Sequence, residues 1–128
     1  MKYLSASIML CMFSLAIFLS VAYGQGKGKQ TLLRHSVIIT FKKGAPQSII
    51  DSVDHSFANL SKLKMVKGFE WGIVTDESEK VQAKHIYITS FINKDDEAAY
   101  GKSPQHQAHI KLGAAYVESV QGVDYYTR

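Results

Sequence analysis

The chain has 128 residues, a formal net charge of +4 and a single cysteine. This length suits one domain behind a leader segment, and one cysteine cannot form the disulfide framework of small secreted scaffolds. The charge is mild and the lysines are scattered, so the sequence does not predict a nucleic-acid-binding protein, which would carry a basic stripe interleaved with aromatic residues.

Residues 1–24 predict a secretory signal peptide. A positive start precedes a long apolar run, and the small residues Ala22 and Gly24 occupy the positions that a signal peptidase reads. The alternative is an uncleaved anchor, because the run is nearly long enough to span a bilayer. We expect a disordered leader at residues 25–31, a folded domain at residues 32–128, and a secreted or periplasmic protein without membrane attachment.

The first half of the domain predicts a strand, a helix and a pair of strands. Side chains alternate along residues 33–41, which is typical of a strand, and Pro46 then begins a helix. Two further strands are predicted at residues 68–75 and 84–92, joined by a polar loop at residues 76–82. The apolar side of the helix comprises Ile49, Val53, Phe57, Leu60 and Leu63.

Two helices and a last strand complete the pattern. Asn93 predicts a helix cap, and acidic residues follow it in the first turn, where the helix dipole favours them. This short helix ends near Gly101. Ser103 begins another helix, which we expect to reach about Ser119, and residues 120–126 predict the last strand.

The resulting order, β-α-β-β-α-β with the second helix broken in two, predicts a ferredoxin-like α+β fold, an antiparallel sheet with helices on one face. The first and third strands would be its central pair. We expect these two strands to be parallel, which would place His35 and His85 side by side at the strand starts. The other face would be an apolar patch for a second copy in a two-fold dimer. That patch comprises Ile38, Ile86, Ile88 and Ile92.

The segment around Tyr100 and His106 predicts a site. Ser103 as the cap and Pro104 at the first helical position place His106 in the first turn, where the dipole disfavours a second positive charge. A neutral imidazole is a usable proton acceptor near neutral pH. His106 should point inward, whereas His109 is expected at the rim. The apolar helix face that His106 shares comprises Ile110, Gly113 and Val117.

Six short markers occur in order along residues 33–126, and together they make the chain resemble the stress-responsive dimeric α/β-barrel family, also called Dabb or A/B barrel. The resemblance implies a ferredoxin-like monomer that forms a homodimer through its sheet and so closes a barrel. The markers are Arg34-His35, Trp71-Gly72, Lys84-His85, Phe91, the segment from Tyr100 to His106, and Asp124-Tyr125.

The resemblance extends to olivetolic acid cyclase-like proteins, and the plant cyclase performs an aldol cyclisation on a linear polyketide. By position, its active-site tyrosine and histidine correspond to Tyr100 and His106, which the resemblance therefore implies as catalytic residues. Two histidines of its pocket correspond to His35 and His85. The present chain departs from the family at Ser103, because the family often has a histidine just before the proline. Tyr87 and Thr89 also make the expected pocket more polar than that of the plant enzyme.

We therefore hypothesise a secreted homodimer whose pocket binds a small carbonyl or aromatic compound and performs cyclase-like or lyase-like general-base chemistry without a cofactor. His106 would be the base, and Tyr100 would hydrogen-bond the carbonyl oxygen. The predicted substrate-binding residues are His35, Val37, Ile39, Phe57, His85, Tyr87 and Ile110. The alternative is a non-catalytic homodimeric ligand-binding or stress-response module, in which the tyrosine fills the core and the histidines only make structural hydrogen bonds.

Two weaker alternatives concern a metal and RNA. Three inward histidines, from two strands and a helix, could bind zinc, although they lack a short-spacing motif. The order of elements also occurs in RNA-recognition modules, but the third strand lacks the glycines and the aromatic pattern of those modules. We therefore expect neither a metal site nor a nucleic-acid partner.

Overall fold

Four strands and three α-helices make up the domain in the computed structural model, which describes residues 30–75 and 83–128. The predicted signal peptide, most of the leader and the loop at residues 76–82 lie outside the described residues. Within the described ranges, no helix is long and apolar enough to cross a membrane. The elements are β1 Leu33–Phe41, α1 Gln47–Leu60, β2 Gly68–Ile73, β3 Lys84–Phe91, α2 Lys94–Lys102, α3 Pro104–Leu112, a 3-10 turn Ala114–Tyr116 and β4 Val117–Tyr126.

The sheet has the order β2-β3-β1-β4, and every neighbouring pair is antiparallel. This topology confirms the predicted ferredoxin-like fold. The expectation of a parallel β1 and β3 was wrong, because the chain reverses between β2 and β3 and β3 therefore runs against both β2 and β1. His35 pairs with Thr89, and His85 pairs with Ile39. The two histidines are thus four residues apart along the strands, roughly 13 Å.

One face of the sheet packs against the helices and carries the core. Apart from the half-buried His35, the alternating residues of β1 and β3 that point to this face are buried, among them Phe41, Tyr87 and Phe91. The helix α1 closes this core with Ile50, Val53, Phe57 and Leu60, so Ile50 takes the place that the sequence pattern gave to Ile49. The opposite face carries the partly exposed Ile38, Ile86 and Ile88, as predicted, and the exposed Val123 of β4.

The last helix is shorter than expected, and β4 is longer. The helix α3 ends at Leu112 instead of Ser119, and Gly113 leads into the 3-10 turn. The backbone N–H of Lys42 donates to the carbonyl of Tyr116 at 2.8 Å, and Val117 already pairs with Phe41. Pairing with β1 therefore overrides the local helical pattern from Val117 to Ser119.

Candidate functional site

An apolar pocket of about 500 Å³ lies between the helix-side face of β1 and β4 and the helices. Seven of the nine predicted site residues line it, and His85 and Tyr87 do not. Gly113 and Val117 also line it, so the apolar face that was predicted for His106 does turn toward the pocket. The seven residues are His35, Val37, Ile39, Phe57, Tyr100, His106 and Ile110. Their catalytic and binding roles stay predictions.

Tyr100 and His106 meet on the pocket wall. Their ring centroids are 4.7 Å apart, and their ring planes make an angle of 54°. Burial raises the pKa of Tyr100 to about 12, although a hydrogen bond with the Thr89 side chain opposes this shift. The phenol therefore keeps its proton at neutral pH and can donate a hydrogen bond to a ligand oxygen.

The Ser103 hydroxyl holds this pair in place. It accepts a hydrogen bond from the backbone N–H of His106 at 3.2 Å, which confirms the predicted helix cap. The same hydroxyl donates to the carbonyl of Tyr100 at 2.7 Å. One buried side chain thus ties the end of α2 to the first turn of α3 and fixes both candidate groups on a rigid backbone.

His106 is prepared as a neutral base mainly by its burial. Burial lowers its pKa, a backbone hydrogen bond with Gly101 raises it, and the nearby His35 lowers it again. The sequence predicted the same preference for a neutral imidazole but attributed it to the helix dipole. The Nδ1 atom of His106 is buried and has no hydrogen-bond partner among the described residues.

His109 is buried in the pocket wall, whereas the sequence placed it at the rim. Its Nδ1 lies 2.9 Å from the Ser56 hydroxyl oxygen, and its ring meets Phe57 edge-on at a centroid distance of 4.1 Å. Burial and then the neighbouring His106 lower the pKa of His109 to about 4. The i, i+3 spacing from His106 was the signal that could have placed it inside.

A cluster of charged groups surrounds His35 at the edge of the pocket. Its Nδ1 lies 2.7 Å from an oxygen of Asp124 and 3.3 Å from an oxygen of Glu97. The ammonium of Lys94 lies 2.9 Å from each of these two carboxylates. Chiefly through Lys94, the pKa of Asp124 falls to about 2. The sequence had treated Asp124 only as a family marker and had missed Glu97.

The same cluster is the candidate for a metal among the described residues. Ligand atoms of His35, Glu97 and Asp124 lie within 4.8 Å of one another. The Lys94 ammonium already neutralises part of the charge of the two carboxylates, so these residues do not need a metal ion as a counter-ion. The three-histidine zinc alternative fails on geometry, because His85 lies at the opposite end of the central strands from His35.

His85 and Tyr87 form a separate packed cluster, so their assignment to the pocket was wrong. The Nδ1 of His85 lies 2.8 Å from an oxygen of Asp54, and the Tyr87 hydroxyl donates to the same oxygen. Burial, reinforced by Asp54, raises the pKa of Tyr87. Phe57 stacks on Tyr87 at a centroid distance of 3.7 Å and stands between it and the pocket.

The chain belongs to the stress-responsive A/B barrel domain family, whose sequence model matches residues 33–127. The stress-response A/B barrel domain-containing protein HS1 of Arabidopsis thaliana is 27% identical over 95 residues, which cover 73% of this chain and 87% of HS1.

Solved structures share the fold. One, from Bacteroides fragilis, is described as a dimeric protein of unknown function with a ferredoxin-like fold. It is 26% identical, with a TM-score of 0.59 and coverage of 75% of this chain and 96% of that one. A hydroxynitrile lyase from Passiflora edulis is 20% identical, with a TM-score of 0.67 and coverage of 78% and 96%, which shows a common fold alone.

Proposed function

We propose that this protein binds a neutral, mostly apolar carbonyl compound in the pocket and removes a proton from the carbon next to the carbonyl group. His106 is the general base, and Tyr100 donates a hydrogen bond to the carbonyl oxygen. The observation that carries this proposal is the buried phenol and the half-buried imidazole, with ring centroids 4.7 Å apart on the wall of an apolar pocket of about 500 Å³. A few convergent polar groups in an apolar cleft are typical of small-molecule sites.

The proposed step balances without a cofactor. The C–H bond breaks, its proton moves to the His106 imidazole, and its electron pair moves through the carbonyl to form an enolate. The developing negative charge lies on the oxygen to which Tyr100 donates, and the phenol keeps its own proton because its pKa is about 12. Return of the proton gives exchange, and attack of the enolate on a second carbonyl gives a cyclase-like ring closure.

Deuterium exchange at the α-carbon of α-tetralone tests this step, since it needs only a base and an oxyanion donor. In D₂O, NMR should show faster exchange with the protein than with buffer. His106→Ala should slow the catalysed exchange by roughly 10²- to 10⁴-fold, the usual contribution of a positioned base. Tyr100→Phe should slow it by roughly 10²- to 10³-fold, the usual cost of removing one oxyanion donor.

The exposed His55 of α1 provides the matched control, because it does not line this pocket. His55→Ala should leave the exchange rate unchanged. Equal rates for the wild-type protein, His106→Ala and Tyr100→Phe would remove the catalytic proposal. Binding of α-tetralone without any catalysed exchange would favour the non-catalytic ligand-binding module instead.

We also propose that the protein is a homodimer formed through the uncovered face of the sheet. Ile38, Ile86 and Ile88 on this face are partly exposed, and Val123 is 61% exposed. The Bacteroides fragilis relative is described as dimeric, which supports the proposal. Burial of such an apolar face against a second copy would stabilise both copies.

Paired substitutions on the two faces of the sheet test the dimer. Ile88→Glu places a charge on the uncovered face and should convert the dimer to a monomer in analytical ultracentrifugation. Ile73→Glu makes the same change on the helix-side face, where Ile73 is 62% exposed, and should leave the dimer intact. A monomeric wild-type protein at micromolar concentration would contradict the proposal.

Export is the remaining proposal, and the signal-like residues 1–24 support it. Mass spectrometry of the protein exported from its native host should find Gln25 at the N-terminus. A membrane fraction that retains Met1 would instead identify the uncleaved anchor.

A further inference from the structure

His109 brings a fourth polar ring, beside those of His35, Tyr100 and His106, into a pocket wall that is otherwise mostly apolar. It lines the pocket, it is buried, and its Nδ1 is engaged by the Ser56 hydroxyl at 2.9 Å. The remaining ring nitrogen, Nε2, is therefore the atom that a ligand can use. The edge-on contact with Phe57 and the contact with Ser56 together restrict the orientation of the ring.

We infer that His109 is a specificity-determining residue that selects ligands with a neutral hydrogen-bonding group at a second position, away from the carbonyl. This inference rests on the proposed function, which places the carbonyl beside Tyr100 and His106. The rings of His106 and His109 are 6.0 Å apart, so one ligand can reach both. A single six-membered ring with two polar substituents spans such a separation.

The charges around the pocket explain why this second group is neutral. Burial keeps His109 and His106 in their uncharged forms near neutral pH, so neither offers a cation to a carboxylate. The two carboxylates of Glu97 and Asp124, which the single Lys94 ammonium offsets only in part, disfavour a further anion near His35. A hydroxyl or a second carbonyl group fits the site, because the nitrogen of a neutral imidazole donates to or accepts from either.

The inference predicts discrimination between a hydroxyl group and a methyl group of similar size. A methyl group would bury the His109 nitrogen without a hydrogen-bond partner, and such unpaired polar groups weaken binding. The wild-type protein should therefore prefer the hydroxyl by roughly 10- to 100-fold in Kd, for the ligand geometry that reaches His109. A histidine that only filled space would show no such preference.

A set of hydroxytetralones, with the hydroxyl at each aromatic position in turn, tests this prediction against the matching methyltetralones. Isothermal titration calorimetry at pH 7 gives the Kd of each pair. At least one hydroxyl isomer should be preferred over its methyl partner by the wild-type protein. His109→Phe should abolish that preference, mainly by weakening hydroxyl binding, and His109→Gln should restore part of it. His55→Phe, the same change outside the pocket, should leave it intact.

The outcomes separate this inference from the proposed function. If the tetralones bind and binding depends on Tyr100 and His106, but no isomer shows a preference that His109→Phe removes, the inference is wrong and the proposed function stands. If no tetralone binds the wild-type protein, both are wrong. If His109→Phe does not fold, an undiminished preference in His109→Leu, which also lacks a polar side chain, would overturn the inference.

Discussion

Two histidine–aspartate pairs of nearly identical geometry lie at opposite ends of the central strands. The Nδ1–Oδ1 distance is 2.7 Å for His35 and Asp124 and 2.8 Å for His85 and Asp54. The side chains of the first pair are about one-third exposed, at 29% and 35%, whereas those of the second are only 6% and 13% exposed. The first histidine lines the apolar pocket, and the second lies in a packed cluster beside Tyr87.

The comparison teaches that the pair itself does not define a catalytic site. In the packed half, the half around His85, Tyr87 and Asp54, the Asp54 carboxylate is the hydrogen-bond partner of both His85 and the Tyr87 hydroxyl. Trp71 lies over the two rings. This arrangement serves stability, because each buried polar group has a partner. In the pocket half, the half around His35 and Asp124, the histidine lines the apolar pocket. Asp54 and Trp71 line a smaller cleft of about 270 Å³, but His85 and Tyr87 do not. The access of the histidine to a pocket, more than the residue types, therefore distinguishes the two halves.

The largest expected effect is a difference in folding stability between alanine variants of the two aspartates. Asp54→Ala would leave His85 and Tyr87 buried without their acceptor and should lower the free energy of unfolding by about 3–5 kcal/mol. Asp124→Ala removes a partly exposed pair and should cost less than about 1 kcal/mol. Urea unfolding of both variants measures the difference. Equal losses of stability would break the comparison between the packed half and the pocket half.

The second effect is a loss of folding stability at acidic pH, which should arise from the buried His109 of the pocket half. The pKa of His109 is about 4 in the folded protein and 6.5 when unperturbed, so the unfolded chain binds more protons between these values. Stability should therefore be lost as the pH falls from about 6.5 to 4, by at most about 3 kcal/mol from this residue. His106, whose pKa is also lowered, acts in the same direction.

Urea unfolding at a series of pH values tests this sensitivity. His109→Phe should flatten the pH dependence between about 6.5 and 4, because the titrating group is gone. His55→Phe should keep the wild-type slope, since His55 is exposed. An unchanged slope in His109→Phe would show that the pocket half is not where the acid sensitivity arises.

A third effect concerns the close approach of α1 to the end of α3. A Cβ atom at Gly113 would lie 2.7 Å from Cγ2 of Val53, which is buried and β-branched. Gly113→Ala should therefore cost about 1–3 kcal/mol and change the pocket, which both residues line. Gly101→Ala, where a Cβ meets nothing within 4 Å, is the control and should be neutral or slightly stabilising.

The smallest effect is the loss of the helix cap that orients His106. Ser103→Ala should lower the free energy of unfolding by about 1 kcal/mol, the usual cost of removing an N-cap hydroxyl. The same hydroxyl also donates to the Tyr100 carbonyl, so its loss should loosen both candidate groups. The variant should therefore also slow the catalysed exchange of α-tetralone, measured under conditions where it is fully folded. Ser48→Ala on the exposed start of α1 should alter neither quantity.

Much of the site could be predicted because its signals are local. Ser103, Pro104 and His106 lie within one helical turn, so capping and side-chain direction follow from the spacing. The alternation in β1 and β3 likewise predicted which strand residues share a face. His109 was misplaced because the helix ends early at Gly113 and the pocket wall extends farther around α3 than the apolar stripe suggested.

By itself, the sequence determined the ferredoxin-like order of elements, the helix cap and the tyrosine and histidine that it brings together, since all of these depend on neighbours within a few residues. Only the tertiary structure decided which histidine lies in the pocket and which aspartate it meets. Asp124 is 89 residues from His35, and Asp54 is 31 residues from His85. Such partners are fixed by the direction and register of the strands, which the chain sets only when the whole sheet is assembled.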